Sequence, residues 1–120
     1  MGRRARRRGQ DAPPEAPTTA YTSPGGDVLE LRGAMTPATR QEYAAAAAGS
    51  PLSREDAWQR AVEFLFERLV VRWDIAGAEP LTRQKELLAR YRFASQPERL
   101  WIRDVLRRHL AEHFPEMTPP

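Results

Sequence analysis

His109-Leu110-Ala111-Glu112-His113 puts two imidazoles four positions apart with a carboxylate between them. On a helix, positions i and i+4 share a face, so both rings could reach one zinc ion. The pattern His-x-x-Glu-His occurs in one class of zinc proteases. Such an enzyme also needs a carboxylate ligand from a distal segment and a substrate cleft, and only seven residues follow His113 here. We therefore read the two histidines as a half-buried structural pair near a helix C-terminus, with no metal and no catalytic role.

Arginine is the other chemistry-bearing residue. Arg3, Arg4, Arg6, Arg7 and Arg8 put five guanidinium groups in the first eight residues. Such a cluster can neutralise phosphates and release counterions. No aromatic residue lies among them, so base stacking is absent. The arm offers weak nucleic-acid binding without sequence preference. Residues 1–20 account for the whole net charge of +3, and the rest of the chain is balanced. A neutral body argues against a broad nucleic-acid footprint on the fold itself. Arg99, Arg103 and Arg107 form a second ridge at i, i+4 and i+8. We read it as a flank whose stems cover apolar surface, ahead of a phosphate or acidic-partner contact.

Other reactive arrangements are excluded by composition. The chain has 120 residues and no cysteine, which removes disulfides, thiolate metal sites and a cysteine nucleophile. Pro24-Gly25-Gly26-Asp27 lacks the Lys-Ser/Thr ending of a phosphate loop, and Lys85, the one lysine, is far away. Glu55, Asp56, Glu63 and Glu67 read as helix-start charges and a solvated face, not as a catalytic pair. No apolar run approaches the ~20 residues of a membrane span. The stretch after the arginines holds Pro13, Pro14 and Pro17 and no apolar core, so no secretion signal is present and the expected location is cytoplasmic.

Three regions must position these groups. Residues 1–17, rich in Arg and Pro, cannot bury enough surface to offset ordering entropy and are expected to be disordered. Residues 18–114 are expected to form a mainly α domain, four helices with a short N-terminal β-hairpin. Residues 115–120 are expected to be a frayed tail. The hairpin lies over 18–33, with strand formers Thr18 to Thr22, turn residues 24–27, and Val28 to Arg32 returning with Leu29 and Leu31 on one face.

The first helix is capped by Thr36, with Pro37 at its first position, and runs to Ala48. Ser53 and Asp56 resemble a capping box opening the second helix, expected to run to about Asp74. Thr82 is the expected cap of a third helix over about 83–94. Ser95 and Glu98 form a capping box for a fourth, stopped by Pro115.

At 100° per residue, Trp58, Ala61, Val62, Leu65, Phe66, Leu69 and Trp73 form one broad stripe of the second helix. Ala57, Phe64 and Val71, with Ile75 just beyond, form a second. Two apolar stripes place that helix between two layers, and one of the layers can be a partner. Exposed apolar stripes also favour a homo-oligomer.

The run Leu69-Val70-Val71-Arg72-Trp73-Asp74-Ile75-Ala76-Gly77-Ala78-Glu79-Pro80-Leu81, after a short strand–turn–strand and before a short and a longer helix, resembles the tail assembly chaperones of siphophages and phage-like particles. Trp73, Gly77, Pro80 and Leu81 carry most of the likeness. The resemblance implies a non-enzymatic assembly helper without cofactors. It would hold an aggregation-prone tape-measure protein and pass it to tail-tube subunits. Phe64, Val71, Ile75, Phe93 and Trp73 are the candidate partner-binding residues on that reading, receiving an amphipathic helix. The competing expectation is a small nucleic-acid-associated or regulatory protein acting through Arg3, Arg4, Arg6, Arg7 and Arg8.

Overall fold

The computed structural model describes residues 17–48 and 54–120. The arginine arm through residue 16 and the Ser53 cap lie outside the described residues. Three strands and four helices follow one another: β1 (Thr18–Thr22), β2 (Val28–Arg32), α1 (Pro37–Ala48), α2 (Arg54–Leu69), β3 (Val70–Asp74), α3 (Gln84–Arg92) and α4 (Gln96–His113). Mainly α is therefore right at the coarse level, but the hairpin is two strands of a three-stranded antiparallel sheet ordered β1-β2-β3.

The hairpin forms where turn chemistry predicts it. Gly26 adopts a φ of 93°, and the Ser23 hydroxyl accepts from the Asp27 N–H at 3.0 Å. Register pairs Tyr21 with Leu29 and Thr19 with Leu31, which turns both leucines into the core. The chain is already held at Pro17, the last residue of the expected arm, whose carbonyl accepts from the Gly33 N–H at 3.1 Å.

The largest departure from expectation is at the end of α2. The helix stops at Leu69, and Val70–Asp74 leaves it directly as a strand. It pairs antiparallel with β2, Leu29 opposite Trp73 and Leu31 opposite Val70, with a register shift at Glu30/Leu31. Helical spacing over 69–73 fits both structures locally. Two facts decide for the strand. Val70 and Val71 are β-branched, and β2 would otherwise expose a row of unpaired backbone groups. The second stripe expected on one long helix therefore does not exist, because Phe64 and Val71 sit on different elements.

After β3 the backbones of Trp73 and Leu81 exchange two hydrogen bonds of 2.9 Å and close the loop between them. Inside it Gly77 has a φ of 85°, and the Ala76 N–H reaches the Asp27 carboxylate at 2.9 Å. Trp73, Gly77, Pro80 and Leu81 are thus the frame of one tight loop.

α1 begins as expected, the Thr36 hydroxyl accepting from the Thr39 N–H. α3 begins at Gln84 after Arg83, without a side-chain cap, so Thr82 does not cap it. α4 carries the full reciprocal box between Ser95 and Glu98. Ala61, Val62, Leu65, Phe66 and Leu69 of α2 are all buried, as the main stripe predicts. Phe66 meets Trp73 edge-on at 5.6 Å and Tyr91 at 4.8 Å between ring centroids, which ties α2, β3 and α3 into one core.

Candidate interaction surface

The expected partner-binding residues do not form one patch. Trp73 is 0% exposed, so it belongs to the core and cannot meet a partner. Phe64 is half-buried, its ring 6.2 Å from that of Tyr43 and the Arg68 guanidinium 5.2 Å above it. Arg68 in turn pairs with Glu42 of α1 at 3.1 Å. Val71 on β3 and Ile75 beyond it are half-buried. Phe93 is the outlier. It closes the C-terminus of α3 through its backbone N–H and leaves its ring 87% exposed. Leu100 on α4 is 50% exposed.

The histidine pair has a structural task. His109 is 0% exposed, and its two ring nitrogens are both engaged. Nε2 lies 2.7 Å from the Arg32 carbonyl of β2, and Nδ1 lies 2.9 Å from the Tyr21 hydroxyl of β1. A carbonyl only accepts, so Nε2 carries the proton and Nδ1 accepts from the tyrosine O–H. His113, one turn on, lies tilted against His109 with ring centroids 4.5 Å apart and meets the Thr19 hydroxyl at 3.2 Å. The two imidazoles fasten the hairpin onto α4. Burial pushes the His109 pKa down, the Arg32 carbonyl opposes that, His113 adds to it, and Glu112 again opposes it. No group of three or more His, Asp or Glu side chains able to hold a metal ion is found among the described residues.

The arginine ridge is also turned to internal use. Arg99 donates to the Arg92 carbonyl at 2.9 Å and lies over the Tyr91 ring. Arg103 and Arg107 both donate to the main-chain oxygen of Pro120, each at 3.2 Å. The segment expected to be a frayed tail is therefore seated. Phe114 and Pro120 are buried, Met117 packs against the core, Glu116 pairs with Arg40, and the Tyr43 hydroxyl donates to the Thr118 carbonyl. Burial of the Tyr43 phenol pushes its pKa up to about 12. The sequence held a signal for this docking in Met117, an apolar residue between prolines, and in the arginines spaced one turn apart on α4.

Seating the segment leaves an open trough beside α1, about 470 Å³ in volume. Tyr43, Ala44, Ala47 and Ala48 form one wall and Met117 and Thr118 the other, with Arg40 and Glu116 at one end. Ala44 and Ala48 are exposed, so the floor is shallow and apolar. No helix among the described residues is long and apolar enough to cross a membrane.

No family model matches this chain, and comparison with curated proteins and with solved structures returned no match.

Proposed function

We propose that this chain is a non-enzymatic assembly helper that holds an amphipathic segment of a partner protein, in the manner of a phage-type tail assembly chaperone. The observation that carries the reading is the apolar trough beside α1. Small side chains at Ala44, Ala47 and Ala48 let a partner helix approach closely, while Arg40 and Glu116 can meet polar residues at its end. The exposed Phe93 ring supplies a second apolar contact. The chaperone form of the reading is supported by the strand–loop frame of Trp73, Gly77, Pro80 and Leu81, on which the resemblance rests.

Co-expression with an amphipathic tape-measure fragment tests it. The wild-type chain should keep the fragment soluble and suppress its light scattering. The double variant Ala44→Glu/Ala48→Glu, at two exposed helix positions, should fold normally and lose capture. A wild-type chain that neither co-purifies with the fragment nor changes its scattering would overturn the reading.

A further inference from the structure

Residues 118–120 border a second recess beside the open trough, sharing Ala47 and Thr118 with it; Pro120 is buried, and Thr118 and Pro119 are exposed. Ala47, Ala57, Trp58 and Ala61 line it. The Arg103 guanidinium lies 4.1 Å from the centroid of the Trp58 ring and donates through Nε to the Pro120 oxygen. Arg107 donates to the same oxygen, and the Tyr43 hydroxyl donates to the Thr118 carbonyl.

Among the described residues, the side chains that hydrogen-bond to this segment, Tyr43, Arg103 and Arg107, are all donors. A guanidinium has no acceptor capacity, and the tyrosine offers its O–H. At the buried end, held by Pro120, an ordinary residue would bring a backbone N–H that none of these side chains accepts, at the cost of an unpaired buried donor. Pro119 and Pro120 bring none, since proline has no N–H. Their rings are apolar, their extended backbone is pre-set, and their carbonyls remain available. The alanine walls and the Trp58 face suit such rings, as in other aromatic-lined grooves that take proline-rich segments. Donors on the receptor and a diproline that offers only acceptors make the chemical match.

We propose that this slot between α1, α2 and α4 is a binding site for extended diproline-containing peptide segments. Residues 118–120 occupy it in cis, and a partner segment of the same chemistry takes it in trans. The cis occupant is tethered by a few residues to α4, so it competes at an effective concentration in the millimolar range. A trans ligand therefore binds well only when the strap is weakened. The inference does not rest on the trough: Tyr43, Ala47 and Thr118 border both, but Ala57, Trp58, Ala61, Arg103 and Arg107 belong to the slot and not to the trough, and the test is separate.

The test uses the full chain and a fluorescent peptide with the sequence of residues 115–120. In the variant Pro119→Gly/Pro120→Gly the slot is intact and the strap is loosened. The peptide should bind this variant saturably, at least tenfold more tightly than it binds the wild-type chain. Replacing both prolines of the peptide with alanine should weaken binding at least tenfold. Adding Tyr43→Phe, which removes one hydroxyl and leaves the ring, should weaken it several-fold while the circular dichroism and the thermal transition at neutral pH stay those of the loosened variant. Absence of saturable binding to the loosened variant, equal binding to loosened and wild-type chains, or equal binding of the proline and alanine peptides would each overturn the proposal.

Discussion

Replacing His109 by leucine tests the latch between hairpin and α4 most directly. The side chain is 0% exposed and makes two hydrogen bonds, to the Arg32 carbonyl and from the Tyr21 hydroxyl. Leucine matches much of the volume but strands both partners. Each stranded buried group costs about 1–3 kcal/mol, so the variant should lose about 2–6 kcal/mol. The same substitution should change the dependence of stability on pH.

In the folded chain the imidazole is held neutral, with its pKa below the ordinary value of 6.5. The unfolded chain then binds more protons over the interval between the two values, and stability rises with pH there. The latch contribution is complete above about pH 6.5, shrinks as pH falls below that value, and levels off once pH passes the folded pKa. Protonation breaks no hydrogen bond, since the tyrosine oxygen can turn to accept from Nδ1–H. The loss is that of a charge placed out of water beside His113. Urea unfolding of the wild type and of His109→Leu, followed by tryptophan fluorescence from about pH 8 to pH 5, measures both quantities. The gap between the two should narrow toward acid. Parallel curves over this range, or a gap under about 0.5 kcal/mol at neutral pH, would refute the assignment of His109 as a neutral, doubly bonded latch.

Three further outcomes follow from the packing. Trp73→Ala should cost about 3–5 kcal/mol in a denaturant titration, because it removes the fully buried ring that joins Phe66 to the strand opposite Leu29. Ser95→Ala should cost about 1 kcal/mol and raise the Glu98 pKa, read by carboxyl NMR titration. Partial burial pushes that carboxyl up, yet bonds from the Ser95 backbone, Arg90 and the Ser95 hydroxyl hold it below its usual value. At the alkaline end, the Tyr43 phenol is pushed up to about 12, so the folded chain keeps a proton that the unfolded one releases from about pH 10. Stability should fall between those values, and Tyr43→Phe should flatten that part of the profile in a thermal melt.

Local chemistry made much of this fold legible. The Gly26 turn, the Thr36 cap, the Ser95–Glu98 box and the buried stripe of α2 each follow from side chains that act within a few residues of themselves. The failures share one cause. Leu69 to Asp74 reads as helix until the open edge of β2 is present to pair with it, and that edge lies some forty residues earlier in the chain. Trp73 then changes from the rim of a stripe to the centre of the core. The segment after Phe114 looks unsupported because one anchor, Tyr43, comes from α1, 75 residues away in the chain, and the other, Arg103, from the middle of α4, which the segment must turn back along to reach. The expected partner-binding residues fall on separate elements for the same reason. A stripe computed on one helix cannot survive that helix ending early, whereas the alanine run of α1, weak as a periodic signal, becomes a wall once Met117 faces it.

The latch joining β1 and β2 to α4 also sets a schedule for synthesis. Strands made first receive their cover only when residues 109 and 113 arrive, nearly eighty positions later. During translation the nascent ribbon Thr18–Arg32 waits with both leucines bare, a state prone to stray pairing with neighbouring polypeptides. Contacts so remote along the chain must close late, so the slow step of maturation should be the arrival of the last helix rather than the bending of the first turn.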